Sequence, residues 1–306
     1  MRRVLVLGGG PDAEREVSLQ SAAGVASALR ETGRFEVIER TIGRLTAREL
    51  SELPGDVIFP VLHGPWGEGG ALQDLLAADG RAYVGCGPIA ARVAMDKIAT
   101  KLLAASLGIP TAPAAVANLA DEVCPIGLPA VIKPVHEGSS VGLHLCLDAT
   151  TWQAGLSAAR EAQGRHPSRV CMVERYIKGR ELTVGVLDGA TLPIIEIVPA
   201  DGVYDYEAKY TRNDTQYRIN PQLPGGLAER LARHASLLFR ALGARHLARV
   251  DFLLDGGGAA WLLEANTMPG FTSHSLVPQA ARAVGLSMPD LCGRLIELAE
   301  RDGPRR

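Results

Sequence analysis

The chain has 306 residues, 47% of them hydrophobic, so it can form two or three domains with a sizeable core. Its net charge of −2, without a dominant basic patch, argues against nucleic acid as a partner. Five cysteines without a CxxC pair argue against a disulfide framework and structural zinc. No apolar run reaches the roughly 18 residues of a membrane span, and the opening RVLVL is too short for a signal peptide. We therefore expect a soluble cytoplasmic protein with no membrane partner.

The first unit, expected at residues 1–87, alternates strands and helices. Strands are predicted in RVLVL, FEVIERTI, DVIFPVLHG and AYVGCG, and helices in AEREVSLQSAAGVASALRETG and ALQDLLAADG. Strands that alternate with helices are typical of a parallel, doubly wound sheet.

The central unit, expected at residues 88–177, has a different pattern. It begins with a helix, MDKIATKLLAASLG, which Gly108 ends. Short strands in PAVIK, GLHLCL and RVCMVERYI follow, with a helix in TWQAGLSAAREAQG between the last two. This order predicts a small open sheet with a helix on one face.

The last unit, expected at residues 178–306, contains two predicted hairpins. ELTVGVLDG and TLPIIEIVP form the first around a DG turn, and RVDFLLDGGGAAWLLEAN forms the second. Helices are predicted in LAERLARHASLLFRALG, PQAARAVG and MPDLCGRLIELAER. The chain is therefore an α/β (α+β) protein.

The stretch KPVHEGSSVG, residues 133–142, follows a predicted buried strand with a lysine and a loop of small residues. Glycine and serine let a backbone approach another molecule closely and expose its N–H donors, and Lys133 adds a positive charge. These features suit a bound phosphate. For this stretch alone, a solvated surface turn is an equally good interpretation.

The second hairpin brings acidic side chains together. Its turn lies at residues 255–258, so Asp251 falls roughly opposite Glu264, and Asn266 shares the face of Glu264. Two carboxylates at such a distance repel each other unless a cation or a proton lies between them. Oxygen ligands of this kind suit Mg²⁺ or Mn²⁺. The alternative is an exposed hairpin with solvated acids.

A phosphate loop and a magnesium patch in one chain indicate a nucleoside triphosphate. Lys97 could supply a second cation, although alone it reads as an ordinary surface lysine. The chain lacks GxxxxGK[ST] and the kinase motifs, so it is neither a P-loop enzyme nor a protein kinase.

These pieces resemble the ATP-grasp superfamily and, within it, the D-alanine–D-alanine ligase family. The resemblance covers nearly the whole chain and depends on the order and spacing of its motifs. They are GGGPDAEREVSL, VLHG, MDK, VIKPVHEGSSVG, VERYIKGRELTV, YDYEAKY, RVDF, LLEANTMPG and TSHSLVP. The resemblance implies an ATP-grasp fold: a Rossmann-like N-terminal domain and two lobes that enclose ATP.

The resemblance also implies roles at the nucleotide. Lys97 and Lys133 would contact the phosphates, and Lys209 the γ-phosphate. Glu174 and the backbone of Arg175 to Ile177 would hold the adenine, and Glu181 the ribose. Asp251, Glu264 and Asn266 would bind two Mg²⁺ (or Mn²⁺) ions, which agrees with the hairpin argument made without the family.

For two molecules of D-alanine, the resemblance implies a second set of residues. Glu14 would bind the first ammonium, with Ser139 and Tyr210 completing a hydrogen-bonded set under a tyrosine-rich lid, and His63 lies at the same rim. Arg249 and the N–H of Gly270 would stabilise the oxyanion. Ser275 and Leu276 would hold the second carboxylate. Read alone, Glu14 is a helix-stabilising acid and His63 a structural histidine.

The chain departs from the family at one loop. The family usually has GEDG after its histidine, whereas HGPWGEGG places Gly69 at the aspartate and adds the bulk of Trp66. By resemblance the protein is a homodimer. Three alternatives stay open: another ATP-grasp carboxylate–amine ligase, a dinucleotide oxidoreductase that uses GGGPDA, and a non-catalytic ATP-binding protein.

Overall fold

The structure, a computed structural model, describes residues 1–139, 141–199 and 215–303. These residues form three sheets, of four, four and six strands in chain order. Each sheet falls within one of the three predicted units, and the unit boundaries after residues 87 and 177 remain our proposal.

The first sheet is parallel throughout, with strand order β2-β1-β3-β4. Its strands are β1 (Arg2–Gly9), β2 (Phe35–Ile42), β3 (Val57–Pro60) and β4 (Ala82–Tyr83). The helices of this unit are α1 (Arg15–Glu31), α2 (Ala47–Glu52), α3 (Gly64–Gly67) and α4 (Ala71–Asp79). The predicted doubly wound parallel sheet is confirmed, whereas α2 and α3 were not predicted.

The second sheet is antiparallel, with strand order β5-β8-β6-β7 and one long helix packed on it. Its strands are β5 (Ala114–Val116), β6 (Ala130–Pro134), β7 (His144–Cys146) and β8 (Cys171–Arg175). The helices are α5 (Pro88–Met95), α6 (Lys97–Ser106) and α7 (Ala149–Arg165). A break at Asp96, whose side chain accepts hydrogen bonds from the N–H groups of Ile98 and Ala99, starts α6 at Lys97.

The third sheet is also antiparallel, with order β12-β11-β9-β13-β14 and β10 paired to β9. Its strands are β9 (Gly179–Leu187), β10 (Ala190–Thr191), β11 (Ile195–Val198), β12 (Gln216–Ile219), β13 (Leu247–Asp255) and β14 (Ala260–Asn266). The helices are α8 (Leu227–Ala241), α9 (Leu276–Ala283) and α10 (Met288–Asp302). Both predicted hairpins are present.

The last helix fixes the third unit against the first. Helix α10 packs on α1, and one buried cluster contains Val4 and Val6 of β1 together with Leu295 of α10. The guanidinium of Arg245 lies 4.4 Å from the ring centroid of Tyr83 and donates to the carbonyl of Gly85. In the described part of the chain, no helix is long and apolar enough to span a membrane.

Candidate active site

The hairpin of β13 and β14 owes its alignment to a β-bulge. Strand β13 pairs without interruption to β9, but its pairing with β14 shifts between Asp251 and Phe252. Phe252 faces Leu262 while Asp251 faces Glu264, so Leu263 is the extra residue. Without the bulge, Asp251 would face Leu263 and the glutamate would lie on the other face of the strand. The predicted pairing of the two acids is confirmed.

Neighbouring cations and donors hold both acids. Asp251 is 3% exposed; its Oδ1 accepts from Thr183 Oγ1 at 2.6 Å, and its Oδ2 accepts from Arg249 Nη2 at 2.8 Å. Glu264 Oε2 lies 3.5 Å from Lys97 Nζ. Both carboxylates therefore lie beside fixed positive groups.

The donor set fits a hard divalent cation. Two facing carboxylates and the Asn266 carboxamide are oxygen ligands of the type that Mg²⁺ and Mn²⁺ take. Among the described residues, no group of three or more His, Cys, Asp and Glu side chains is arranged to hold a metal. A cation here would therefore use the two carboxylates and complete its shell with the carboxamide, water or phosphate.

A large cavity of about 470 Å³ opens between the second and third sheets. Among the residues lining it are Lys97, Lys133, Glu174, Arg175, Ile177, Glu181 and Glu264. The segment from β8 to β9 crosses its back wall. There the N–H groups of Arg175 and Tyr176 donate to the carbonyls of Pro113 and Pro129. The candidates for adenine contacts are therefore the carbonyl oxygens of Arg175 and Tyr176, together with Ile177.

Three charged side chains form one buried cluster at this wall. Glu174 accepts from Lys133 Nζ at 2.5 Å with one oxygen and from Lys101 Nζ with the other. Burial acts to raise the pKa of Glu174, but the two lysines outweigh it, so the pKa is lowered. The carboxylate is ionised at neutral pH.

A lysine and an arginine contact the loop predicted to bind phosphate, of which the structure describes residues 133–139, 141 and 142. Lys97 Nζ donates to the carbonyl of Glu137 at 2.5 Å, and the Glu137 side chain pairs with Arg169. Arg169 also lies against the far end of the loop, where a Cβ on Gly142 would come within 2.9 Å of its guanidinium. Ser139 has φ of +53°, a left-handed conformation that is uncommon for a residue with a side chain. These contacts hold Glu137, which lines the large cavity.

A smaller cavity of about 90 Å³ adjoins the large one, and residues of all three units line it. Glu14, just before α1, accepts a hydrogen bond from Ser139 Oγ of the phosphate loop. Glu14 lies at the N-cap of α1 and makes no side-chain capping hydrogen bond. It is buried, and its carboxylate faces the second unit.

His63 and Glu68 form another part of the small cavity. His63 lies beyond β3 at the carboxyl edge of the parallel sheet, and its Nδ1 is 4.0 Å from Glu68 Oε1. Burial lowers the pKa of His63, and its buried Nε2 has no hydrogen-bond partner within the described structure. Burial and then the charge of Glu14 raise the pKa of Glu68 to about 8. We did not single out Glu68 from the sequence.

The remaining wall comes from the segment between β14 and α9. A Cβ on Gly270 would lie 2.8 Å from Ser275 Oγ, so the backbone must approach that hydroxyl closely. Ser275 Oγ accepts from the Thr272 N–H at 2.9 Å, and Leu276 begins α9. The structure thus brings Gly270, Ser275 and Leu276 together beside Arg249.

Of the unusual loop HGPWGEGG, only His63 and Glu68 line the small cavity. Trp66 packs in the core of the first sheet with Leu5 and Leu7, not at a substrate site. A Cβ on Gly69 would lie only 2.2 Å from the carbonyl oxygen of Pro65. A side chain therefore does not fit at this position in the observed backbone.

Every predicted site residue within the described ranges lines one of the two cavities. Lys209 and Tyr210, with the tyrosine-rich stretch around them, lie outside the described residues. Sequence reasoning missed Glu68 and Lys101. The signal for Lys101 was its position four residues after Lys97, which places both on one face of a helix.

Comparison with known proteins agrees with this geometry. A solved structure titled D-alanine–D-alanine ligase from Bacillus anthracis complexed with ATP matches with a TM-score of 0.83 and 30% identity. The match covers 98% of this chain and 97% of that chain. The fold and its cleft define a protein of the ATP-grasp superfamily.

The sequence comparisons identify the family within that class. The family model D-ala D-ala ligase C-terminus matches residues 109–297. D-alanine–D-alanine ligase of Anaeromyxobacter dehalogenans is 42% identical over 304 residues, which cover 97% of this chain and 96% of that protein. D-alanine–D-alanine ligase B of Chromobacterium violaceum is 44% identical, covering 96% and 97%. The chain belongs to the D-alanine–D-alanine ligase family.

Proposed function

We propose that this chain joins two D-alanine molecules into D-alanyl-D-alanine, a peptidoglycan precursor, and cleaves ATP to ADP and phosphate. One observation carries the proposal: the large and small cavities share the wall residues Gly138, Glu181, Ile197 and Glu264. Triphosphate bound by Lys97 and Lys133 would end where the small cavity begins. An amino acid held there would present its carboxylate to the γ-phosphate.

The first half-reaction activates the carboxylate. Glu14, positioned by Ser139, binds the ammonium of the first D-alanine. A carboxylate oxygen of this molecule attacks the γ-phosphorus, the bond to the β-phosphate oxygen breaks, and ADP leaves. Lys97, Lys133 and, from the sequence, Lys209 neutralise charge on the transferring group. The product is an acyl phosphate, which reacts with amines far more readily than a carboxylate does.

The second half-reaction forms the peptide bond. Ser275 and Leu276 hold the carboxylate of the second D-alanine, and its deprotonated amine attacks the acyl carbon. Arg249 and the N–H of Gly270 donate to the oxyanion of the tetrahedral intermediate. The carbon–oxygen bond to phosphate then breaks, and phosphate leaves. Tyr210 and its neighbours would exclude water from the acyl phosphate.

We further propose that the enzyme uses two Mg²⁺ or Mn²⁺ ions. We also propose that it is a homodimer and acts in the cytoplasm. Asp251, Glu264 and Asn266 would hold the ions, which when bound neutralise the phosphate oxygens. The support from the structure is the donor set itself: a pair of facing carboxylates with a carboxamide on the same strand.

A direct assay tests the function. Purified protein is incubated with ATP, Mg²⁺ and D-alanine, and phosphate release and the mass of the product are measured. We expect equal amounts of phosphate and D-alanyl-D-alanine. Neither product should form when L-alanine replaces D-alanine, or when the Glu14→Gln variant replaces the native protein. Phosphate release with another amino acid but not with D-alanine would indicate a different ATP-grasp ligase. ATP binding without any turnover would indicate a non-catalytic protein, and binding of NAD instead of ATP an oxidoreductase.

A further inference from the structure

The distribution of lysine in the sequence draws attention to Lys101. The chain has 32 lysines and arginines, and only five are lysines: Lys97, Lys101, Lys133, Lys178 and Lys209. Lys97, Lys133 and Lys178 line the large cavity, and Lys209 is a predicted phosphate contact. Lys101 is the remaining one, and it is not among the described residues that line either cavity.

Lys101 lies directly behind the cavity wall. It follows Lys97 by one turn of α6, and its side chain is only 8% exposed. Its ammonium donates to Glu174 and to Thr111 Oγ1, and Thr111 lies beside Leu262 of β14. Lys101 therefore cannot touch a nucleotide in the cavity, but it holds a residue that can.

The charge of the cluster depends on Lys101. Glu174 uses its other oxygen for Lys133, the cavity lysine that we propose as a phosphate contact. With Lys133 alone, Glu174 would form a neutral pair, and its carboxylate would repel any phosphate that Lys133 attracts. With Lys101 included, the cluster has two ammonium groups and one carboxylate, a net charge of +1.

Burying Lys101 is costly. Burial lowers its pKa, and the charge of Glu174 only partly restores it. Well-packed apolar residues commonly stabilise a fold as well as buried ion pairs do, so fold stability alone does not require this charge. The free-energy cost of burying Lys101 is explained if its positive charge serves ligand binding.

We propose that Lys101 is a positioning residue for the nucleotide phosphates: it neutralises Glu174, so that the ammonium of Lys133 retains its attraction for the polyphosphate chain. The inference rests on the proposed function only in that the ligand is a nucleotide. It deepens that function, because it gives different roles to the two buried lysines that contact Glu174. Lys133 contacts phosphate, and Lys101 neutralises the carboxylate.

Binding measurements separate this role from a packing role. Dissociation constants of ADP, inorganic tripolyphosphate and adenosine are measured by calorimetry for the native protein and Lys101→Met. Loss of one unit charge near the phosphates should weaken ADP and tripolyphosphate binding roughly tenfold. Adenosine, which has no phosphate, should bind within about twofold of native. Equal weakening of adenosine and ADP, or unchanged ADP binding, would overturn the proposal.

Three further variants complete the test. Lys101→Arg keeps the charge and should bind ADP nearly as the native protein does. Glu174→Gln added to Lys101→Met should recover most of the tripolyphosphate affinity, because no carboxylate then competes for Lys133; failure to recover contradicts the charge argument. Arg160→Met removes one exposed positive charge from α7 and serves as the matched control, with native binding expected.

Folding and ligase activity do not confound the result. If Lys101→Met does not fold, Glu174→Gln alone decides, because it should tighten tripolyphosphate binding, and weaker binding contradicts the proposal. All of these are binding measurements without D-alanine. A chain that fails to make the dipeptide but shows these shifts would refute the proposed reaction and leave the role of Lys101 intact.

Discussion

The two adjoining cavities differ in their balance of charge. The described lining of the large cavity has five carboxylates matched by five lysine or arginine side chains. Lys101, behind the wall, adds a further ammonium group to Glu174. The described lining of the small cavity contains five carboxylates and one arginine: Glu14, Glu68, Glu181, Asp251, Glu264 and Arg249. There the pKa of Glu68 is raised to about 8. The protein alone thus neutralises one cavity and leaves the other rich in acid.

This difference indicates what each cavity lacks. The large cavity offers fixed cations to a polyphosphate, and it needs only the ligand. The small cavity collects carboxylates whose mutual repulsion falls when a cation enters. The ammonium groups of the substrates and the proposed metal ions are such cations. Binding of these cations in the small cavity should therefore reduce the repulsion between carboxylates that folding brought together.

The largest effect should come from removing the arginine of the acid-rich cavity. Arg249→Ala should lower kcat by at least about 10²-fold, because an oxyanion donor is lost. Turnover is measured with saturating ATP and D-alanine. Arg294→Ala, an exposed arginine on α10, is the control and should keep native turnover. A variant at Arg249 with native kcat would remove its proposed role.

Changing one of the facing acids should alter the metal requirement. Asp251→Asn removes a proposed ligand charge, so the Mg²⁺ concentration for half-maximal activity should rise at least about tenfold. Binding of Mn²⁺, followed by its electron spin resonance, should weaken in parallel. Asp290→Asn, at the solvent-exposed start of α10, provides the control. An unchanged metal titration would place the ion elsewhere.

The raised pKa of Glu68 predicts how stability depends on pH. An acid that is harder to ionise in the folded state contributes stability below its unfolded pKa near 4.5, and the contribution is lost as pH rises towards 8. Glu68→Gln mimics the protonated form. The free energy of unfolding of the variant should exceed that of the native protein by less than about 1 kcal/mol at pH 5 and by roughly 4 kcal/mol at pH 8.

Denaturant unfolding of ligand-free protein at both pH values measures this difference. Glu31→Gln, which changes an exposed glutamate at the end of α1, should show no pH-dependent difference from the native protein. A Glu68→Gln variant that is equally stable relative to native at pH 5 and pH 8 would contradict the assignment of a neutral Glu68.

The smallest effect should come from the loop that carries Glu68. A methyl group on Gly69 would meet the Pro65 carbonyl, so Gly69→Ala should lower the free energy of unfolding by about 1 kcal/mol or more. Gly164→Ala serves as the control, because Gly164 lies on α7 with open space around it. Gly80→Ala is unsuitable, because the φ of Gly80 is +82°. Native stability of Gly69→Ala would show that the loop can shift.

The sequence predicted much of this site because its signals are local. The alternation of strands and helices located the parallel sheet, and the turn between β13 and β14 located the facing acids. The KPVHEGSSVG stretch located a loop whose described residues Gly138 and Val141 line the large cavity. The glycines, serines and lysine of that stretch are visible in the sequence without knowledge of tertiary contacts.

The rest depended on packing that no local pattern reveals. The neutral state of Glu68 follows from burial near Glu14, which is 54 residues away in the sequence. The role of Lys101 follows from its contact with Glu174 across the lobe. Helix α5, which ends at Met95 just before the Asp96 cap, was not predicted, whereas the helix predicted from Met95 corresponds to α6.

The extra residue in β14 has a consequence for how the hairpin can vary in length. Residues 256–259 protrude beyond the last paired positions, so insertions there leave the acids in place. Removing Leu263 would instead rotate Glu264 through half a turn of the strand and point its carboxylate away from Asp251. Length changes in related proteins should accordingly accumulate at the tip of the hairpin and be absent between the bulge and Asn266.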